Sequence, residues 1–331
     1  MGAGPGRRGG SALPIVAAAG VVLVMTGVVV AVTAGREDSP RAAAEHYFEA
    51  LADGDAERAL TYVASAEQID VSQYPLLGNQ ALSEDRYRPG DADVGEDMAA
   101  GGQFGTEARS VRVVYRAGGQ SVAQEFVAVN ENGAWRLRLP FVLLGIDGGR
   151  GREVTVNGVG LGSAGRATAA FPGAFEAVAT GNTLLAESRA SGVAQRHGIV
   201  DYVASLQFGV PELAPGARES IRSQARTALD RCASSTGAQP AGCPFALNVP
   251  GTDIGVTWSV TTYPQVDVRT DSIVWFSGAA LQLVDDGTGK VHWSATYTDA
   301  GGTRKSQSGD STFRINGNAQ ATPTGIQVSL V

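Results

Sequence analysis

Few residues in this sequence combine the types and the spacing that chemistry requires. Residues 160–165 read GLGSAG and match G-x-G-x-x-G, a pattern that holds a dinucleotide pyrophosphate when a helix follows directly. An F-P-G turn follows instead, so we interpret the pattern as a flexible β-turn. Ser163 also lacks the preceding glycine of a nucleophile elbow, because Leu161 stands two residues before it.

The sequence contains three histidines, and none has an ordered partner nearby in the chain that would make it a catalytic base. His292 alternates with Val291 and Trp293, which predicts that its ring points to solvent. His197 lies in an Arg-His-Gly context that is typical of a loop. We therefore predict a protein that is not an enzyme. An enzyme stays an alternative only if His197 or His292 meets a carboxylate in the folded chain.

An acidic stretch lies between residues 83 and 105 and could supply oxygen ligands to calcium. Its carboxylates are Asp91, Asp93, Glu96 and Asp97. The stretch lacks the spacing of an EF-hand and its sixth-position glycine, so it predicts a solvated surface loop. We assign no metal site and no cofactor to the chain.

The remaining candidate residues depend on helices and strands to bring them together. Ser39 and Pro40 form a helix start, and the apolar residues that follow share one face, with Tyr47 and Phe48 at its centre. From Arg109 the apolar period changes to two, which predicts strands. Asn132-Gly133 then predicts a hairpin whose return strand turns Trp135, Leu137 and Leu139 inward.

These phrases resemble a known superfamily. The helix AEHYFEALADGDAERAL (residues 44–60) followed by NGAWRL (132–137) resembles the cone-shaped α+β fold of the nuclear-transport-factor-two superfamily. It is similar in particular to the extracytoplasmic versions tethered to actinobacterial membranes by a single span. The resemblance implies a cone over residues 39–145. Enzymes of the superfamily carry Asp and His inside the cone, and no such pair can be carried over here.

The resemblance implies a place for a ligand as well. Cones of this type often have an open mouth that holds a small apolar molecule, and Tyr47, Phe48, Trp135 and Leu137 would line it. The alternative is a filled core. We favour the filled core because alanine and valine dominate the other inward positions.

A second resemblance begins near residue 152. VTVNG (154–158) and FPGAFEAV (171–178) resemble the small all-β extracellular repeats of membrane-anchored teicoplanin-resistance-associated proteins. The resemblance implies that residues 150–212 act as a spacer. It also implies a cell-wall component or an envelope protein as partner.

The rest of the chain predicts a helix packed on an antiparallel sheet over residues 213–331. The helix follows Pro215, and clean alternation then marks the strands. Cys232 and Cys243 predict a disulfide, because a zinc site needs more ligands and a redox pair more often reads C-x-x-C. It would stabilise the chain by roughly 2–3 kcal/mol.

Residues 13–34 contain no charge and are long enough to cross a bilayer as a helix. Arg7 and Arg8 precede the run, which predicts a cytoplasmic tail (1–12) and an extracytoplasmic body. A cleaved signal peptide ending at Ala34 is the alternative, although its apolar region would usually be shorter. The formal net charge of −7 excludes nucleic acid as a partner class.

The predicted class is therefore α+β, with a transmembrane helix, a cone-like domain, a small all-β spacer and a disulfide-stapled α+β domain. Abundant alanine, glycine and valine are typical of a high-GC bacterium. We predict a membrane-anchored, non-enzymatic binding or scaffold protein of the cell envelope. A small-ligand carrier and an envelope hydrolase are the alternatives.

Overall fold

A computed structural model describes residues 37–100, 107–149, 151–161, 167–197, 201–273 and 280–330. These residues form a few helices and many strands, which confirms an α+β class that is rich in strand. The predicted tail (1–12) and membrane span (13–34) lie outside the described residues. Among those described, no helix is long and apolar enough to cross a membrane.

Two capped helices open the described chain. In α1 (Pro40–Ala52), the Ser39 side chain accepts a hydrogen bond from the Ala42 amide at 3.1 Å, and Pro40 occupies the first turn. In α2 (Ala56–Thr61), Asp55 accepts from the Arg58 amide at 2.9 Å. The helix start that Ser39 and Pro40 predict is confirmed.

A four-stranded antiparallel meander follows. Its strands, in spatial order, are β1 (Gly90–Ala99), β2 (Arg109–Ala117), β3 (Gln120–Glu131) and β4 (Ala134–Leu137). Asn132 and Gly133 have φ angles of 55° and 81°, as the predicted two-residue hairpin turn requires.

The acidic stretch contains a strand where we predicted a loop. β1 contains all four of its candidate carboxylate ligands and pairs with β2, although Val94 is the only buried residue of β1. Its ladder with β2 satisfies the backbone, so an edge strand can form here without alternating apolar side chains.

The end of β4 also differs from the prediction. Ala134 and Leu137 are buried and Trp135 is half-buried, whereas Leu139 is 66 % exposed. The strand ends at Leu137, and Leu139 adopts a positive φ of 46° before Pro140. Alternation therefore stops two residues earlier than expected, and Leu139 turns out to solvent.

The next eight strands form two further sheets. They are β5 (Val142–Asp147), β6 (Val154–Val156), β7 (Val159–Gly160), β8 (Ala167–Ala170), β9 (Ala174–Ala179), β10 (Ser188–Val193), β11 (Gln195–His197) and β12 (Asp201–Gln207). One sheet has the order β10-β9-β6-β7 and the other β11-β12-β5-β8, in which β12 runs parallel to β5. One hydrophobic cluster extends from α1 to Phe208. The boundary near residue 150 stays a prediction, and residues on both sides of it share this core.

The F-P-G and N-G segments contact α1 and the stretch between α2 and β1. Phe171 is buried, with its ring 6.4 Å from that of Tyr47. A Cβ on Gly173 would lie 2.3 Å from the Tyr87 carbonyl oxygen, so glycine allows two backbones to approach. The buried Asn157 amide donates to the carbonyls of Ala81 (3.2 Å) and Ala174 (3.0 Å).

The C-terminal unit consists of one helix and two sheets. Its elements are α3 (Ala217–Ala233), β13 (Thr252–Thr262), β14 (Gln265–Ile273), β15 (Leu281–Asp286), β16 (Gly289–Thr298), β17 (Arg304–Phe313), β18 (Gly317–Thr322) and β19 (Gly325–Leu330). The sheet orders are β13-β16-β17 and β14-β15-β18-β19. The apolar spacing of α3 predicts one buried face. Four residues of that face are buried and Ala228 is half-buried; the four are Ile221, Ala225, Leu229 and Cys232.

The predicted disulfide between Cys232 and Cys243 is confirmed, with a Cα–Cα distance of 5.8 Å. The bond joins the end of α3 to the segment that contains Phe245. The ring of Phe245 lies 5.1 Å from that of Trp258. The Trp258 indole donates to the Gly237 carbonyl inside the closed loop at 2.9 Å. The loop is therefore held to the sheet by packing as well as by the bond.

The β9–β10 connection joins the two units. It leaves the first core and places Leu184 and Leu185, which are 0 % and 1 % exposed, in the core of the C-terminal unit. The Ala214 amide donates to the Leu184 carbonyl at 3.0 Å, and the Thr183 hydroxyl donates to the Gly325 carbonyl at 2.7 Å. A loop of the first unit thus completes the second core.

Candidate functional site

The four residues assigned to a ligand pocket lie together, but three of them are core residues. Tyr47 and Leu137 are 0 % exposed and Phe48 is 2 % exposed, while Trp135 packs half-buried against the same cluster. The Tyr47 hydroxyl donates to the Pro140 carbonyl at 2.9 Å. Burial raises the pKa of Tyr47 well above its usual value, so the phenol stays neutral and acts as a hydrogen-bond donor.

Neighbouring rings fill the space that a ligand would need. The ring of Phe48 lies 5.2 Å from that of Tyr115 and 5.4 Å from that of Phe126, and Phe171 approaches Tyr47 from the F-P-G segment. Such spacings are typical of packed aromatic cores. The ligand assignment of these residues stays a prediction, and a ligand would have to displace this packing.

An open groove of about 190 Å³ lies beside this core, between α1 and β1. Phe48 alone of the four predicted residues lines it, together with the carboxylates of Glu45, Glu49 and Asp91. The groove is smaller than usual small-molecule sites, which occupy roughly 300–1,000 Å³.

A second group of residues surrounds Glu37, which precedes α1 in the chain. The Glu37 carbonyl accepts from the Trp135 amide at 3.1 Å, and the buried Glu37 carboxylate lies 2.9 Å from His46 Nδ1. The His46 ring lies 5.8 Å from that of Tyr62. The pKa of Tyr62 is raised, first by burial and then by the charge of Glu37. We call Glu37, His46, Tyr62 and Trp135 the entry cluster.

The third group lies on the outer face of the β13-β16-β17 sheet. Ser259, His292 and Asp310 stand directly opposite one another on the three strands, so their side chains share a face. His292 is exposed, as predicted, but its Nδ1 lies 2.9 Å from Asp310 Oδ1. The alternation of apolar and polar residues predicts that His292 faces solvent. Its contact with the Asp310 carboxylate was not predicted.

The missed pairing follows from the β16–β17 turn. Thr298 pairs with Arg304 next to that turn. Six residues further from the turn on each strand, His292 pairs with Asp310. A carboxylate on one histidine nitrogen is the arrangement that orients a general base toward a nucleophile. Among the hydrogen bonds of the described residues, none joins Ser259 to His292. The arrangement is therefore a histidine–carboxylate pair on a flat, exposed surface.

Two other chemical candidates fall partly outside the described residues. His197 lies in β11, where its side chain is outside the description, and positions 162–165 of the glycine pattern lie outside the described residues. Within the described ranges, no group of three or more His, Cys, Asp or Glu side chains is placed to hold a metal ion.

The chain matches no protein-family model, no curated protein and no solved structure.

Proposed function

We propose that the chain is an extracytoplasmic binding or scaffold protein of the bacterial cell envelope, anchored by residues 13–34 and acting without catalysis. The proposal rests on the uncharged run of residues 13–34, which ends three residues before Glu37, a residue that is buried against the first unit. The disulfide supports it, because such bonds persist in oxidising compartments outside the membrane.

Scaffolding is supported by the way the two units interlock. Leu184 and Leu185 lie in the core of the second unit, so the two units are held together by shared packing. The carrier alternative has less support, because Tyr47, Phe48 and Leu137 are packed against other rings and strands. A cell-wall component or an envelope protein remains the proposed partner.

The first test is fractionation of the full chain. We expect it to stay with membranes through an alkaline carbonate wash and, once solubilised in detergent, to pellet with purified cell-wall sacculi. Leu23→Arg combined with Val28→Arg is the matched control, since each charge at a span centre costs about 2.5–3.5 kcal/mol. The control should leave the membrane but still pellet with sacculi. A wild-type chain that stays in the supernatant in both assays would contradict the proposal.

A second candidate, hydrolysis by a serine, is favoured by one observation. His292 Nδ1 meets Asp310, and Ser259 stands on the opposite strand. On the binding proposal, a fluorophosphonate probe should leave the chain unlabelled, because Ser259 has no hydrogen bond to the imidazole. Labelling that disappears in both Ser259→Ala and His292→Ala, with labelling retained in Ser294→Ala on the same face, would establish an activated serine instead.

A further inference from the structure

The short sequence between the predicted membrane span and Glu37 limits how far the entry cluster can lie from the span. Only Gly35 and Arg36 separate Ala34 from Glu37. Three residue steps reach at most about 11 Å when fully extended. The headgroup layer on each side of a bilayer is about 5–8 Å thick. Glu37 must therefore lie within or just outside the headgroups if residues 13–34 span the membrane.

Glu37 also packs against the folded body, so the distance limit on Glu37 applies to the part of the body around it. Glu37 is 7 % exposed and is held by the Trp135 amide and the His46 ring. Two residues of sequence therefore connect the predicted span to a residue that is packed on the body. The side chains around Glu37 are consequently the part of the body that is nearest to lipid.

Those side chains have the chemistry of a membrane interface. Trp135 and Tyr62 are half-buried against the first core, and the His46 side chain is 47 % exposed. Tryptophan and tyrosine are favoured at headgroup level, because an apolar ring and a polar hydrogen-bonding group suit that layer.

We propose that the entry cluster is the surface with which the body rests on the lipid headgroups. This inference rests on the proposed membrane anchor and adds an orientation to it. α1 and β4 then lie at the membrane, and the surface that remains free for an envelope partner begins beyond them. The occupant of the entry cluster is the headgroup layer itself and not a second protein.

The test places one label at a time on the full chain in vesicles. Both natural cysteines form the disulfide, so an introduced cysteine is the only free thiol. His46→Cys and Trp135→Cys report on the entry cluster. Val210→Cys, at a residue 67 % exposed in the link to the C-terminal unit, is the control. Each variant carries a bimane fluorophore in phosphatidylcholine–phosphatidylglycerol vesicles that contain a nitroxide-headgroup lipid.

We expect several-fold stronger quenching at positions 46 and 135 than at position 210. Equal quenching at all three positions, in chains that survive a carbonate wash, would overturn the orientation and leave the anchor intact. Chains that the wash removes would overturn the anchor and the orientation together. His46→Cys changes an exposed side chain, so it keeps the test valid if Trp135→Cys does not fold.

Discussion

Replacing Leu184 with alanine is expected to lower the free energy of unfolding of the C-terminal unit by about 2–5 kcal/mol. Leu184 is fully buried in the C-terminal core, although it belongs to a loop of the first unit. Truncation leaves a cavity in the second core and weakens the tie between the units. Denaturant unfolding followed by near-ultraviolet circular dichroism would measure the loss, since Trp258 lies in that core.

Leu143→Ala is the matched control, because Leu143 is 54 % exposed. It should change the free energy of unfolding by no more than about 0.5 kcal/mol. The double variant Leu184→Ala/Leu185→Ala should also be cleaved faster in the link around Val210 during limited proteolysis. A Leu184→Ala protein that is as stable as Leu143→Ala would show that the β9–β10 loop does not belong to the second core.

Asn157→Ala is expected to cost about 2–5 kcal/mol of folding stability, from lost hydrogen bonds and a strained backbone together. The Asn157 amide donates to Ala81 and Ala174, and its oxygen accepts from the Glu176 amide at 2.9 Å. Alanine would leave buried polar groups without partners and would also have to adopt a φ of 49°. Thermal and denaturant unfolding of the full chain would measure the effect.

Asn132→Ala separates the two causes. Asn132 has a similar φ of 55° but lies exposed in the β3–β4 turn. Its replacement should cost only the backbone term, about 1–2 kcal/mol. If Asn157→Ala costs no more than Asn132→Ala, the hydrogen bonds to Ala81 and Ala174 do not contribute to folding stability.

The features that the sequence alone predicted correctly have local causes. The start of α1 follows from Ser39 and Pro40, and the β3–β4 hairpin follows from Asn132 and Gly133, because capping and positive φ angles involve neighbouring residues. The buried face of α3 follows from its apolar spacing. The disulfide also followed from sequence, since two cysteines in a chain predicted to lie outside the membrane have one obvious pairing.

Features that depend on distant partners were decided by the tertiary structure. β1 forms because β2 satisfies its backbone, so its acidic side chains gave no sign of a strand. The sequence predicts that Phe171 and Leu184 belong to a small β-rich spacer. Phe171 instead packs in a core that begins at α1, and Leu184 packs in the core of the C-terminal unit.

The chemical sites follow the same division. The exposure of His292 was predictable from alternation, whereas its contact with Asp310 required the register of β16 and β17. The aromatic residues Tyr47 and Phe48 were identifiable from helical spacing, but packing with Phe126 and Phe171 decided that they fill a core. Local sequence sets caps, turns and faces, because these depend on adjacent residues. Long-range pairing decides which faces meet, because that depends on the fold as a whole.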